Sequence, residues 1–177
     1  MTNKNNRERD PFLEAVGRVT LAGGQIDHGL RGLIGTITLE PTLSMHANAA
    51  KTQELVTIAR LGLKGGKIDE PDADEIEASL KRVDRFRERR NTIVHALFMP
   101  AESGNGLDAM NPARKNIGYN TSSITVEEME ELADEAQLLL AELFRVGWNA
   151  RAGKLPGMQP MPKPVPGQTV NGVQVKA

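Results

Sequence analysis

The residues of this chain best suited to chemistry are Arg90, Asn91 and His95, which lie close together in one short stretch. A guanidinium offers a fixed positive charge and a fork of donors for phosphate oxygens, and an imidazole can move protons near neutral pH. Together they suit cleavage of a phosphodiester, with His95 as acid or base and Arg90 stabilising the charge that develops on the phosphate. Asn91 would orient the phosphate or His95. The 2′-hydroxyl of RNA would be the nucleophile, so this chemistry requires no metal or other cofactor.

The position of Arg90 is unusual for a charged residue, because its neighbours at helical spacing are apolar. These neighbours are Val83, Phe86, Ile93, Val94 and Leu97. A charge on a core-facing stripe is costly unless it is paired or opens onto a cleft. On a helix, Asn91 and His95 share a face, whereas Arg90 and His95 are separated by about 140° around the axis. We therefore expect Arg90 and His95 to flank one surface.

Two helices are predicted before this stretch. The first, either one long helix or two halves, runs from Pro11 to about Ile37, and its Gly23-Gly24 pair is the expected place for a kink or for close packing. The second is capped by Ser44 after the turn around Pro41 and ends at the Gly65-Gly66 pair.

The third and fourth helices complete the predicted fold. Asp72 and Glu75 resemble a capping pair for the third helix, whose apolar positions continue through the Arg90 stretch to Pro100. Thr125 and Glu128 form a capping box for the fourth helix. The prediction is an all-α protein, an antiparallel four-helix bundle.

The chain is predicted to have one structured domain with polar ends. Residues 1–9 are a predicted flexible N-terminus, residues 10–151 the helical bundle, and residues 152–177 a Pro-rich disordered tail in which residues 170–173 could form a small hairpin. Residues 99–124 are rich in Gly, Asn, Ser and Pro, which predicts a long loop with at most a short hairpin before the last helix.

Composition excludes several classes of protein. The 22 Lys and Arg against 23 Asp and Glu give a net charge of −1, so no global positive field attracts nucleic acid, and RNA contacts must be local. Aromatic residues make up 3% of the chain, too few for a base-stacking sheet. There is no cysteine, which removes disulfides and zinc fingers and favours the cytoplasm. Since no stretch approaches the roughly 18 apolar residues of a membrane span, no membrane partner is expected.

Three arginines near the motif and two histidines elsewhere are further candidates for binding residues. Arg85, Arg87 and Arg89 on the third helix are predicted to hold the RNA backbone, although acids interleave them and such runs are also typical of solvated helix faces. His28 and His46 lack the spacing of metal ligands, so no metal site is predicted.

The segment from Arg90 to His95 resembles the Arg-Asn-x-x-x-His form of the Arg-x4-6-His motif of the HEPN superfamily. The predicted order of helices over residues 10 to 150 is also similar to that superfamily. The resemblance implies a metal-independent endoribonuclease, usually a homodimer with the motifs of two protomers in one cleft. It also implies toxin–antitoxin or antiphage defence systems, with RNA and an antitoxin or other protein as partners. Leu97 stands where toxins silenced by a nucleotidyltransferase carry tyrosine, so that silencing is not expected.

Two alternatives remain open on sequence alone. The chain could be a catalytically inactive helical module for dimerisation, RNA binding or protein interaction, with Arg90 paired to a glutamate of a neighbouring helix and His95 stabilising a helix C-terminus. It could instead be a nucleotide-binding bundle that holds phosphate without cleaving it.

Overall fold

The computed structural model describes residues 9–100, 107–113, 117–152 and 154–176. Residues 1–8 of the predicted flexible N-terminus lie outside this part, as do residues 101–106 and 114–116 of the predicted loop. The described residues are mostly helical, with a small antiparallel sheet. The helices are α1 (Pro11–Thr38), α2 (Pro41–Ala49), α3 (Thr52–Lys64), α4 (Glu70–Val94) and α5 (Val126–Ala152).

Helix α1 is central and packs against α5, α3 and α4. Buried apolar residues recur every three or four positions on α1, α4 and α5, so each helix turns one stripe inward. The largest fully buried side chains are Ile26, Leu30, Ile34, Ile37, Leu55, Ile76, Leu80, Phe86, Met129, Leu132, Leu139 and Leu143. None of the described helices is long and apolar enough to cross a membrane.

Side-chain caps fix where α1 and α5 begin. The Asp10 carboxylate accepts from the backbone N–H of Phe12 at 3.0 Å and of Leu13 at 3.3 Å. The predicted capping box before α5 is confirmed, because Glu128 N–H donates to Thr125 Oγ1 at 3.1 Å and Thr125 N–H donates to Glu128 Oε2 at 3.0 Å. These bonds satisfy donors that have no partner within the helix.

The prediction of a single helix after Pro41 is wrong, because the chain forms two helices there, α2 and α3. Ser44, the predicted cap, lies inside α2. The break falls at Ala50, whose ψ of 147° is extended. Arg31 of α1 stabilises this break, because its Nε donates to Ala47 O at 3.0 Å and its Nη2 donates to Ala50 O at 3.1 Å. These two bonds cap the C-terminus of α2.

The predicted continuation of the third helix to Pro100 is also wrong, since α4 ends at Val94. Strand β1 (Leu97–Pro100) follows, and Leu97, expected on the buried face, is 60% exposed. Phe98 packs edge-on against Phe12 of α1, with ring centroids 4.8 Å apart. A strand alternates its side chains, so this contact turns Leu97 and Met99 outward.

The all-α prediction is corrected by a three-stranded sheet, which spans the predicted end of the third helix and the region predicted to be a long loop. Strands β1, β2 (Leu107–Pro112) and β3 (Tyr119–Ile124) are antiparallel in the order β1-β2-β3. Phe98 pairs with Ala109, and Ala109 pairs with Ser122. Ala109 is fully buried, so this face of the sheet covers the helices.

The predicted disordered tail is instead ordered along α5 over residues 154–176. Trp148 Nε1 donates to Gln159 O at 2.9 Å, and Asn149 exchanges two hydrogen bonds with the backbone of Met161, at 3.0 and 2.7 Å. A two-stranded hairpin, β4 (Thr169–Val170) and β5 (Val173–Gln174), confirms the small hairpin considered at residues 170–173. Side chains of α5 thus satisfy backbone groups that a Pro-rich segment cannot satisfy itself.

An ion pair also holds the tail to α4. Glu75 contacts Lys163 of the tail at 2.7 Å and Arg145 of α5 at 2.8 Å. Lys163 and then Arg145 hold the pKa of Glu75 below its ordinary value, against the effect of burial. A lowered pKa in the folded state means that the carboxylate stabilises the fold above its unfolded pKa of about 4.3 and loses that effect as the pH falls.

We therefore expect Glu75→Gln to lower the free energy of unfolding by about 1 kcal/mol near neutral pH, after allowance for solvent screening. The variant should also lose less stability than the parent on acidification to about pH 3.5. Denaturant unfolding followed by the fluorescence of Trp148 measures both. Glu131→Gln, at an exposed pair with Lys176, is the control and should change stability by less than about 0.5 kcal/mol. Equal losses in the two variants would contradict the expectation.

Candidate functional site

An open cavity of about 490 Å³ lies between α1, the start of α3 and the second half of α4. Arg90, Asn91 and His95 all line it, together with Arg87. The remaining lining residues are Thr20, Gly23, Gly24, Asp27, Ala50, Lys51, Thr52, Gln53 and Phe86. The three residues predicted to carry the chemistry therefore share one solvent-accessible cavity.

The guanidinium of Arg90 lies against the backbone of α1. A Cβ atom placed on Gly23 would be 3.0 Å from Arg90 Nε. Arg90 Nη1 donates to Asn91 Oδ1 at 3.1 Å, whereas its Nε is buried without a hydrogen-bond partner in the described part of the chain. Asn91 thus orients Arg90, and the close packing expected at Gly23 is confirmed, within a continuous helix.

The three arginines predicted to bind RNA lie in different surroundings. Arg87 lines the cavity and its Nε is also buried without a described partner. Arg89 turns to α5 and pairs with Glu135 at 2.8 Å. Arg85 is exposed and does not line the cavity. Only Arg87 joins the site, and the pairing to a neighbouring glutamate considered for Arg90 is made by Arg89 instead.

His95 lies at the mouth of the cavity because α4 ends there. It is the C-cap residue, with φ −107° and ψ 5°, and its side chain is exposed. The sheet fixes this helix end, since Asn111 Nδ2 of β2 donates to Thr92 O at 3.0 Å. An exposed imidazole at the end of a fixed helix can reach a ligand in the cavity while it stays in contact with water.

The wall opposite α4 is the start of α3, which is held to α1. Thr52 Oγ1 donates to Asp27 Oδ1 at 2.6 Å, and the Arg31 bonds described above fix the preceding Ala50. Lys51 N–H donates to Glu54 Oε2 at 3.0 Å. Lys51 adds its charge to those of Arg87 and Arg90, so cationic side chains outnumber the one lining carboxylate, Asp27.

An ion-pair network sets the spacing of the two walls. Arg60 of α3 contacts both Glu77, at 3.1 Å, and Asp84, at 3.1 Å, on α4. Hydrogen bonding to Glu77, then the charge of Glu77 and the contact with Asp84, raise the pKa of Arg60 above its ordinary value. Asp84 also contacts Arg87 Nη2 at 3.6 Å. The network therefore connects the α3 wall to a lining arginine.

The α1 contribution to the site was missed by the sequence reasoning. Thr20, Gly23, Gly24 and Asp27 are spaced as i, i+3, i+4 and i+7, which places small and polar residues on one helix face. None of these four residues was predicted to belong to the site. The same spacing could have identified a polar stripe opposite Arg90.

No family model, curated protein or solved structure matches this chain. The resemblance to the HEPN superfamily therefore depends on the residues of the motif and on the order of helices. Among the described residues, no group of three His, Asp or Glu side chains is placed to hold a metal ion. The lining residues are suited to an anion such as a phosphate diester, through Lys51, Arg87 and Arg90.

The stability of an Arg90 variant should show whether this arginine has a ligand-binding or a structural role. Arg90→Met keeps the length of the side chain and removes a buried Nε that lacks a described partner, so we expect stability within about 0.5 kcal/mol of the parent, or a gain. Arg145, whose side chain is 7% exposed between Glu75 and Glu142, provides the contrast. Arg145→Met should cost about 3 kcal/mol. Chemical denaturation of both variants is the measurement, and a loss above about 2 kcal/mol for Arg90→Met would make Arg90 structural.

Proposed function

We propose that this protein is a metal-independent endoribonuclease of HEPN type that acts in the cytoplasm on single-stranded or looped RNA. In this proposal α1, the α2–α3 pair, α4 and α5 are the four helical segments of a HEPN-like bundle. The observation that carries it is the meeting of Arg90, Asn91 and His95 in one open cavity.

The burial and the incomplete hydrogen bonding of Arg87 and Arg90 support an anionic ligand. Arg90 and Arg87 are half-buried, and each has a buried Nε without a partner among the described residues. An unsatisfied buried donor costs about 1–3 kcal/mol. Such a cost is typical of functional sites, where a ligand completes the hydrogen bonds. A phosphate diester has oxygen acceptors of the right chemistry.

The residues have separate roles in the proposed reaction. The 2′-oxygen of the ribose forms a bond to phosphorus while the bond to the 5′-oxygen breaks, which gives a 2′,3′-cyclic phosphate and a 5′-hydroxyl. His95 removes the proton from the 2′-hydroxyl or gives one to the departing 5′-oxygen. Arg90, oriented by Asn91, stabilises the negative charge on the phosphate oxygens. Arg87 and Lys51 hold the neighbouring backbone.

Two protomers would complete the proposed site. One histidine cannot remove and supply a proton in the same step, so a homodimer with two His95 side chains in one cleft gives both a base and an acid. An antitoxin or other protein that covers this cleft would then silence the enzyme, as expected for a toxin or an antiphage defence component.

The nuclease proposal predicts that labelled RNA is cleaved in excess chelator by the parent protein. Arg90→Ala and His95→Ala should each reduce the rate at least about 100-fold, because each removes a group that acts on the reacting phosphate. The products should carry cyclic phosphate ends, which are separated from 3′-phosphates by gel mobility.

Matched controls come from the same residue types outside the cavity. Arg18→Ala, at an exposed pair with Glu130 and Asp134, and His46→Ala, exposed on α2, should retain the parent rate. Cleavage that is equal in all five proteins would assign the activity to a contaminant. RNA binding without cleavage by the parent would favour the inactive RNA-binding module.

A substitution at Gly23 tests the position of Arg90 without removing its side chain. Gly23→Ala adds a methyl group 3.0 Å from Arg90 Nε, so the guanidinium must shift, while alanine favours the helix by up to about 1 kcal/mol. We expect cleavage to fall by about tenfold or more, with the melting temperature unchanged or higher. Gly17→Ala, where a Cβ meets nothing within 4 Å, should gain stability without losing rate. If Gly23→Ala cleaves at the parent rate, the position of Arg90 does not matter to the reaction.

A further inference from the structure

A second cavity, of about 740 Å³, lies between α1, α5 and the ordered tail. Gly32 forms part of its α1 wall, Leu140 and Phe144 part of its α5 wall, and Met158 and Met161 come from the tail. It shares no lining residue with the Arg90 cavity. The proposed nuclease chemistry makes no use of it.

The tail that roofs this cavity is fixed at several points. Trp148 and Asn149 of α5 hold the backbone of Gln159 and Met161 through the hydrogen bonds described above. Lys163 adds the ion pair with Glu75. The cavity is therefore enclosed by ordered chain on three sides and is more than an uncovered helix face.

The two guanidinium groups that line the cavity already have partners within the protein. Arg145 is held by Glu75 and Glu142. Arg151 donates to the carbonyls of Thr36 at 2.7 Å and Ile37 at 3.2 Å. Because these guanidinium groups are occupied, a charged ligand would give up hydration without gaining a free counter-charge.

The aromatic pair at the α5 wall, in which Phe144 is exposed and Trp148 is half-buried, favours a flat ligand. The rings of Phe144 and Trp148 are stacked at 25°, with centroids 6.5 Å apart, and Phe144 is 64% exposed. Large exposed aromatic surface beside an apolar cavity gains free energy when it is covered. Methionines 158 and 161 supply flexible side chains that adapt to the shape of a ligand.

We propose that this cavity binds an uncharged, largely apolar small molecule with a flat ring system, seated against Phe144 beneath the tail. Pockets of roughly 300–1,000 Å³ with mostly apolar walls hold molecules of this kind. The site is independent of the nuclease proposal, so either can fail without the other.

The test uses the full chain and N-phenyl-1-naphthylamine, an uncharged aromatic dye that becomes fluorescent in apolar surroundings. Trp148 is the only tryptophan and lines the cavity, so energy transfer from it to the dye reports binding to the protein, and the variants described next locate the bound dye. We expect saturable binding of one dye per chain, with quenching of Trp148 emission.

Two variants fill the cavity from opposite walls. A Cβ on Gly32 meets nothing within 4 Å, so Gly32→Leu can extend into the space, and Ala141→Leu does so from α5. Each should weaken dye binding by at least about tenfold. Gly17→Leu, on the same helix but outside the cavity with open space at its Cβ, should bind like the parent, and melting curves confirm that all are folded.

The proposal is overturned if the parent shows no saturable binding, or if both filled variants bind the dye as well as Gly17→Leu. It is also overturned if the dye binds only after a dimer has been diluted into monomers, because the cavity would then accommodate a second copy of the chain.

Discussion

The contact between the Arg90 guanidinium and the bare backbone at Gly23 is the constraint around which the polar cavity is built. Any side chain at position 23 would meet Arg90 Nε at 3.0 Å. The glycine costs the helix up to about 1 kcal/mol relative to alanine, and the half-buried arginine adds an Nε with no described partner. Both costs disfavour a purely structural role, because an apolar pair at these positions would pack at lower free energy. The anionic ligand proposed above would supply acceptors for this guanidinium.

The other elements keep the walls of this cavity apart. Arg31 caps α2, Asp27 holds Thr52, and Arg60 connects α3 to α4. These are interactions between residues far apart in sequence, and each involves an ionised group with good geometry. The sheet adds the hydrogen bond from Asn111 to the end of α4. The cavity is thus defined by polar contacts at its rim, while the apolar stripes of α1, α4 and α5 only bring the helices together.

Local sequence signals predicted what depends on local physics. Helix α1 and the capping box at Thr125 follow from spacing and from donors near a helix start. Helical geometry explains the places of Arg90 and Asn91, whereas His95 lies at the cavity because α4 ends at Val94. Strands β1 to β3 could not be predicted this way, because their pairing joins distant residues and the apolar spacing of residues 93–97 also fits a helix. The orientation of Arg89 toward Glu135 depends on which neighbour each face meets, as does the docking of the tail on Trp148.

Helix α1 contributes to both cavities, since it presents Gly23 to one and Gly32 to the other. The two glycines are roughly 13 Å apart along a single unbroken rod. A rod of 28 residues transmits a small slide along its axis from end to end without bending. The polar and the apolar cavities consequently share one wall helix, so a displacement of α1 along its axis at Gly32 would also move Gly23, the residue against which Arg90 lies.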